Sequence, residues 1–171
     1  MAASGTGPAD VEELIHILLE RYGRHPSVIG IGVDVEWVGA GGKPEGIPIT
    51  DEMAQQWVAA ARSHGPQYRI FLKHWLPEYM PPTYRDGLLF IDDSQGFASL
   101  DEMVAEFTAW GEAFAPFPVG FQYGYGSDKS WWRDLPNPPQ EIGQRLLTAV
   151  PHTAGLYWVD FTVLELFPPA E

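Results

Sequence analysis

Two carboxylates stand two residues apart in the stretch IGVDVEW, residues 31–37. Side chains alternate along a β-strand, so Asp34 and Glu36 should point to one side and the valines beside them to the other. Carboxyl groups this close repel each other when both are ionised, so we expect one to keep a proton that the other gives up. The spacing predicts general acid and base chemistry. An ion pair with Lys73 or His74 on a neighbouring strand is the alternative interpretation.

Polar side chains end each apolar, strand-like run of the chain. The carboxyl ends of parallel strands open on one common face of a sheet, so we expect these groups to converge on one site. A strand that leaves the core and meets water gives the same pattern at any single end, so the prediction depends on all five ends together. The groups are Asp34, Glu36 and Trp37; Lys73, His74 and Trp75; Asp92, Asp93, Ser94 and Gln95; Gln122, Tyr123 and Tyr125; and Trp158 with Asp160.

The segments between these runs are amphipathic and carry recognisable helix starts. Ser99 and Glu102 match the capping-box pattern at one of them. Strands that alternate with helices at this spacing predict right-handed crossovers, a mainly parallel sheet and hence an α/β fold with the helices outside. The predicted helices begin after Asp10, Thr50 and Ser99 and at the prolines of PPQEIGQRLLTAV. The predicted strands are 27–35, 68–74, LLFI, 118–123 and GLYWVDFTVLEL, the last either a strand or a strand with an extension.

Two further patterns concern packing. The adjacent residues Trp131 and Trp132 follow the fourth predicted strand, where they either stack on a sugar or seal that end of the fold. The first predicted helix carries one apolar stripe, which should face the core. Its members are Val11, Leu14, Ile15, Leu18 and Leu19.

The composition favours one globular domain, residues 10–171, preceded by a flexible segment, residues 1–9. The 171 residues are 45% hydrophobic and 19% charged, which suits a single domain with a sizeable core. The formal net charge of −13 should repel phosphate backbones, so we expect no nucleic-acid partner. The aromatic content of 13% fits either stacking on flat ligands such as sugars or a large aromatic core.

The absence of cysteine excludes disulfides, thiolate nucleophiles and zinc–cysteine sites. The start MAASGTGPAD lacks the pattern of a signal peptide, and no apolar run reaches the length of a membrane span. We therefore expect a soluble chain with no membrane partner, and secretion of a longer parent stays open. The stretch GAGGKPEG lacks the spacing of a nucleotide-binding motif, and we expect a flexible loop there.

The histidines predict no metal centre and no cofactor. Four of the five lie on predicted helix or loop surfaces without the spacing of metal ligands, namely His16, His25, His64 and His152. One alternative stays open, a metal-dependent hydrolase with a mixed oxygen and nitrogen site. Its ligands would be Asp34, Glu36, His74 and Asp92.

The stretch IGVDVEW resembles the D-x-E strand of (β/α)-barrel glycoside hydrolases, especially the family 18 chitinases and the family 25 lysozymes. GLYWVDF resembles the last strand of these barrels, which often places a tryptophan under the sugar ring, here Trp158. Chitinases carry a longer D-x-x-D-x-D-x-E run. Alignment on Glu36 keeps Asp34 but puts Gly32 and Ile29 where the other two acids stand.

The resemblance implies hydrolysis of glycosidic bonds in a polysaccharide or an amino-sugar polymer, with Glu36 as the general acid and Asp34 as its assisting carboxylate. Two routes stay open. In the substrate-assisted route, an N-acetyl group attacks the anomeric carbon, Asp34 orients it and Tyr123 donates a hydrogen bond. In the two-carboxylate route, Asp92, Asp93 or Asp160 supplies the nucleophile or base. The carbohydrate would contact Trp37, Lys73, His74, Trp75, Gln122, Trp158 and Asp160.

The number of strands limits the barrel. A complete (β/α)8 barrel has eight strands and about 250 residues, whereas five strands are predicted here. We therefore expect a partial or truncated barrel, either part of a longer parent, a half-barrel that a homodimer completes, or an open sheet. A non-catalytic, carbohydrate-binding relative of these barrels is the main alternative to the enzyme. It would keep the aromatic residues Trp37, Trp75, Tyr123 and Trp158.

Overall fold

The computed structural model of the protein describes residues 10–39 and 45–168. The predicted flexible segment 1–9 and most of the GAGGKPEG loop lie outside these described residues. Within the two described ranges, no helix is both long and apolar enough to cross a membrane. The α-helices are α1 (Val11–Tyr22), α2 (Asp51–His64), α3 (Leu100–Phe114), α4 (Lys129–Trp132), α5 (Pro138–Ala149) and α6 (Asp160–Leu166). The strands are β1 (Gly30–Asp34), β2 (Arg69–Lys73), β3 (Leu88–Asp92), β4 (Val119–Tyr123) and β5 (Thr153–Trp158).

The predicted helix starts are confirmed by the hydrogen bonds that cap them. The carboxylate of Asp10 accepts from two backbone N–H groups in the first turn of α1, at 3.0 and 3.2 Å. The Thr50 and Ser99 hydroxyls each accept one such bond at 3.2 Å, at the starts of α2 and α3. These bonds satisfy N–H groups that have no partner inside the helix. The Glu102 carboxylate accepts from the backbone N–H just before Ser99, at 2.7 Å.

All five strands are parallel members of one sheet, in the order β1-β2-β3-β4-β5. The predicted α/β class with about five parallel strands is therefore confirmed, and closure into a partial barrel stays a prediction. The final predicted run divides into a strand, β5, and a helix, α6. The indole N–H of Trp158 donates to the Thr162 hydroxyl at 2.9 Å, which ties the end of the strand to the helix that follows.

The described chain divides into two compact units, one that ends at Leu88 and one that begins at Leu89. Compact packing units need not be independently folding domains, so the single domain over residues 10–171 stays a prediction. In the first unit, α1 and α2 pack on β1 and β2. Burial alternates along β2, because Ile70 and Leu72 are buried while Arg69 and Phe71 are exposed. One face of this strand pair is therefore covered by helices, and the other is open.

The second unit has an aromatic core between its strands and α3. Phe90 of β3 stacks on Phe114 of α3 with ring centroids 4.4 Å apart, and Phe121 of β4 stacks on Phe107 at 4.8 Å. The Trp110 ring packs against Phe114 at 4.8 Å. Much of the high aromatic content of the chain is used in this way, since aromatic pairs stabilise a core beyond the area that they bury.

Gly124, directly after β4, has a φ of 90°, a conformation that residues with a side chain rarely adopt. A Cβ at this position would lie 2.3 Å from the Trp158 ring. We predict that Gly124→Ala lowers the free energy of unfolding by at least about 2 kcal/mol, because backbone strain adds to the steric overlap. Urea unfolding measures this change.

The matched control for this variant is Gly126→Ala. A Cβ on Gly126 would meet no heavy atom within 4 Å, so this change should move the free energy of unfolding by less than about 0.5 kcal/mol. Equal effects of the two substitutions would show that the close approach at Gly124 does not constrain the fold.

Candidate functional site

The two carboxylates of the IGVDVEW stretch meet one lysine. The parallel register pairs Asp34 of β1 with Lys73 of β2. Lys73 Nζ lies 2.8 Å from Asp34 Oδ2 and 4.0 Å from Glu36 Oε1. The ion pair that the sequence left as an alternative is therefore present. We call these three residues the acid–lysine cluster.

The strand ends before Glu36. The prediction of a strand through Val35 is corrected, since β1 stops at Asp34 and Val35–Trp37 forms a 3₁₀ turn. Strand alternation therefore does not orient Glu36. The buried side chain of Val35 anchors the turn, and the N–H of Val38 donates to the Val35 carbonyl at 3.0 Å. This turn keeps the second carboxylate near the lysine that pairs with the first.

The acid–lysine cluster is partly open to solvent. The side chains of Asp34, Glu36 and Lys73 are 32%, 29% and 15% exposed. Lys73 Nζ lies closer to Asp34 than to Glu36, and Coulombic attraction falls with distance, so the ammonium attracts the Asp34 carboxylate more strongly. Asp34 Oδ1 is buried and has no hydrogen-bond partner among the described residues, so it remains as an acceptor.

An apolar cleft of about 210 Å³ lies beside the cluster, between α1 and β1. Asp34 and Trp37 form part of its wall, and 74% of Trp37 is exposed. Two members of the predicted apolar stripe of α1, Ile15 and Leu19, are buried as expected. The other three line the cleft instead. The apolar stripe of α1 therefore has two parts. One part is buried in the core, and the other forms an apolar wall of the cleft that also contains Asp34.

Both ring nitrogens of His74 form hydrogen bonds within the protein. It is 1% exposed, and its ring stacks between Trp75 and Tyr79 with centroids 4.2 and 4.5 Å away. The Leu76 N–H donates to Nδ1 at 2.8 Å, so Nε2 carries the hydrogen and donates to the Glu45 carbonyl at 3.1 Å. This geometry describes a structural histidine. Its predicted contact with substrate, like that of Trp75, stays a prediction.

In the second unit, Asp92 points into the helix-covered layer. It lies two residues after Phe90, on the same side of β3, and is fully buried. Its Oδ1 accepts from the Ser94 N–H at 2.8 Å, whereas Oδ2 has no hydrogen-bond partner in the described chain. Burial raises the pKa of Asp92 to about 7. The neighbouring Asp93, which follows the end of β3, is also buried.

Tyr123 and Trp158 are engaged within the second unit. The Tyr123 hydroxyl donates to the Pro139 carbonyl at 3.1 Å, and burial raises its pKa to about 12. Its ring meets Trp158 edge-on at 5.5 Å. Gln122 donates to the Tyr125 hydroxyl. The remaining predicted residue of this unit, Asp160, is exposed at the start of α6.

Sequence reasoning missed Asp128, a buried acid that organises the loop after β3. Its Oδ1 accepts from the backbone N–H groups of Gly96 and Phe97, at 2.8 and 2.7 Å. Burial raises its pKa. The two tryptophans beside it pack rather than project, since Trp131 donates to the Phe97 carbonyl at 2.9 Å and Trp132 is 1% exposed. Of the two predicted roles, stacking on a sugar or sealing that end of the fold, this packing agrees with the second.

The structure thus brings three of the predicted site residues together in the first unit, Asp34, Glu36 and Lys73, with Trp37 next to them. The part of the chain that the structure describes contains no group of three or more acidic, histidine or cysteine side chains placed to hold a metal ion. The fold defines an α/β protein with an all-parallel sheet. Comparison with family models, with curated protein sequences and with solved structures gives no match.

The raised pKa of Asp92 predicts how stability depends on pH. The folded chain binds this proton more tightly than the unfolded chain, so stability is greatest below about pH 4 for this group and falls as the pH rises through 7. We predict that Asp92→Asn removes this loss. Between pH 4 and pH 8 the decline in the free energy of unfolding should shrink by on the order of 3 to 4 kcal/mol.

Urea unfolding at a series of pH values measures the effect, and Asp134→Asn, at an exposed position, is the control. The control should keep the wild-type pH dependence. A pH profile of Asp92→Asn that overlays the wild-type profile would mean that Asp92 does not hold the proton.

Proposed function

We propose that the protein is a glycoside hydrolase with Glu36 as the general acid and Asp34 as its assisting carboxylate. The observation that carries the proposal is the acid–lysine cluster, in which one ammonium lies 2.8 Å from Asp34 and 4.0 Å from Glu36. In this proposal Asp34 is the carboxylate that pairs with Lys73, and Glu36, at the longer distance, gives a proton to the glycosidic oxygen. Proton transfer of this kind contributes about 10²- to 10⁴-fold to the rate.

The position of the two acids favours the substrate-assisted route. Both carboxylates lie within 4.0 Å of the same nitrogen, and in this proposal they act from one side of a sugar ring. Two-carboxylate mechanisms need acids on opposite sides of the reacting centre. In the substrate-assisted route, the acetamido oxygen of the substrate attacks the anomeric carbon, and Asp34 accepts from the acetamido N–H. The Asp34 side chain, which is 32% exposed, supplies the acceptor for that N–H in this route.

This route selects the substrate class, because the substrate must carry a 2-acetamido group. An N-acetylamino-sugar polymer is therefore the proposed substrate. Trp37 supplies a platform beside the acids, since aromatic rings stack on the apolar faces of sugars, and its ring is largely exposed. The Tyr123 hydroxyl donates to the Pro139 carbonyl in the second unit, and its predicted hydrogen bond to the substrate stays a prediction.

The second candidate is a carbohydrate-binding protein without hydrolysis. The observation that favours it is again Trp37, which is 74% exposed. Stacking on that ring requires neither acid, so substitutions of Trp37 and of the acids should affect binding and catalysis separately. The ion pair would then serve only to hold the end of β1.

We predict that Glu36→Gln lowers kcat on N-acetylamino-sugar oligomers by about 10²-fold or more, because glutamine cannot donate the proton. Binding of the same oligomers should change by less than about threefold, since the amide keeps the shape of the side chain. Released sugars are quantified by chromatography, and binding is measured by calorimetry. The matched control is Glu78→Gln, an exposed acid of the same unit, which should leave both quantities unchanged.

Three outcomes separate the candidates. Hydrolysis that persists unchanged in Glu36→Gln means that Glu36 is not the acid. Oligomer binding that is lost in Trp37→Ala, with no sugar released by the wild type, identifies the binding protein instead. Wild-type activity on oligomers that lack the acetamido group would contradict the substrate-assisted route while leaving the hydrolase class intact.

A further inference from the structure

Two histidines that are far apart in sequence meet between α1 and α2 in the first unit. His16 Nδ1 lies 2.8 Å from His64 Nε2, across a separation of 48 residues. The rings are tilted by 54°, with centroids 5.1 Å apart. His16 is in the second turn of α1, and His64 is the last residue of α2. Both side chains are half-buried.

The packing of the two helices fixes this approach. Ile15, next to His16, is fully buried, and so are Ala60 and Ala61, in the turn that precedes His64. Ligands on packed helices are held more firmly than ligands on loops. The two ring nitrogens are therefore positioned before any ligand binds.

The nitrogen separation matches two adjacent ligand positions on one metal ion. Metal–imidazole bonds of about 2.0 to 2.1 Å at an angle of 90° place the two nitrogens about 2.9 Å apart, whereas a tetrahedral angle places them about 3.3 Å apart. The observed 2.8 Å therefore fits the 90° geometry better. Square-planar and tetragonal sites are typical of Cu²⁺ and Ni²⁺, and imidazole is a preferred ligand of both.

We propose that His16 and His64 form a bidentate site for a divalent transition metal, Cu²⁺ or Ni²⁺, that links α1 to α2. The site is independent of the proposed glycosidase chemistry. The ring that donates the hydrogen between the two nitrogens takes its other tautomer when the metal binds, so both lone pairs face the ion. Because two protein ligands do not fill the coordination shell, water or an exogenous ligand completes it.

Charge and position support a cation at this place. The chain has a formal net charge of −13. Glu12 and Glu20 stand four residues before and after His16, a spacing that places side chains on one face of a helix. The bound ion would also stabilise the packed helices, because a ligand that binds the folded state alone shifts the unfolding equilibrium.

The experiment uses the full chain without a polyhistidine tag, stripped of metal by a chelator that is then removed. CuCl₂ is titrated in a calorimeter, and the electron paramagnetic resonance spectrum reports the nitrogen ligands. The wild type should bind one Cu²⁺ per chain with two imidazole nitrogens. His16→Gln and His64→Gln should each weaken binding at least tenfold, and His25→Gln, an exposed turn residue, should bind like the wild type.

A measurement on the wild type alone guards against variants that fold poorly. Paramagnetic Cu²⁺ should broaden the amide resonances around residues 16 and 64 first, and saturating Ni²⁺ should raise the unfolding temperature. Cu²⁺ affinity of His16→Gln and His64→Gln equal to that of the wild type, or broadening centred elsewhere, for example at the acid–lysine cluster, would overturn the proposal.

Discussion

The ion pair between Asp34 and Lys73 depends on the register of two parallel strands. Ile70 and Leu72 of β2 are fully buried, so the alternation of the strand turns Lys73 to the open face, where the register sets it opposite Asp34. A slip of one residue would turn the ammonium into the helix-covered layer and remove the counter-charge from both acids. The geometry of the candidate site is therefore a consequence of core packing in the first unit.

Burial differs among the polar residues at the strand ends. In the first unit Lys73 opens to the carboxylates, and the next residue, His74, is buried with both ring nitrogens engaged. In the second unit Asp92 and Tyr123 are buried, and desolvation raises the pKa of each. A polar residue at a strand end thus belongs either to an open site or to a buried hydrogen-bond network, and in β3, where Phe90, Ile91 and Asp92 are all buried, alternation does not separate the two.

The features that the sequence predicts correctly are those that depend on residues close together in the chain. Caps such as Asp10, Thr50 and Ser99, together with the alternation of strands and helices, are sufficient for the α/β class. An ion pair of the acids with Lys73 or His74 was only the alternative interpretation, and the pair with Lys73 is present. The 3₁₀ turn that carries Glu36 could not be read from a strand pattern. The approach of His16 to His64 could not be foreseen either, because it depends on how two helices pack across 48 residues.

Exposure determines what the acid–lysine cluster contributes to the protein. Asp34 and Glu36 remain 32% and 29% exposed, and ion pairs in contact with solvent add only about 0 to 1 kcal/mol to stability. Stability alone is therefore a weak reason for three charged side chains at one strand end. Access gives a stronger one, because Trp37 and Asp34 line the same cleft and Glu36 is partly open to solvent. The exposure that limits the value of the ion pair to the fold is also the exposure that the proposed proton donor requires.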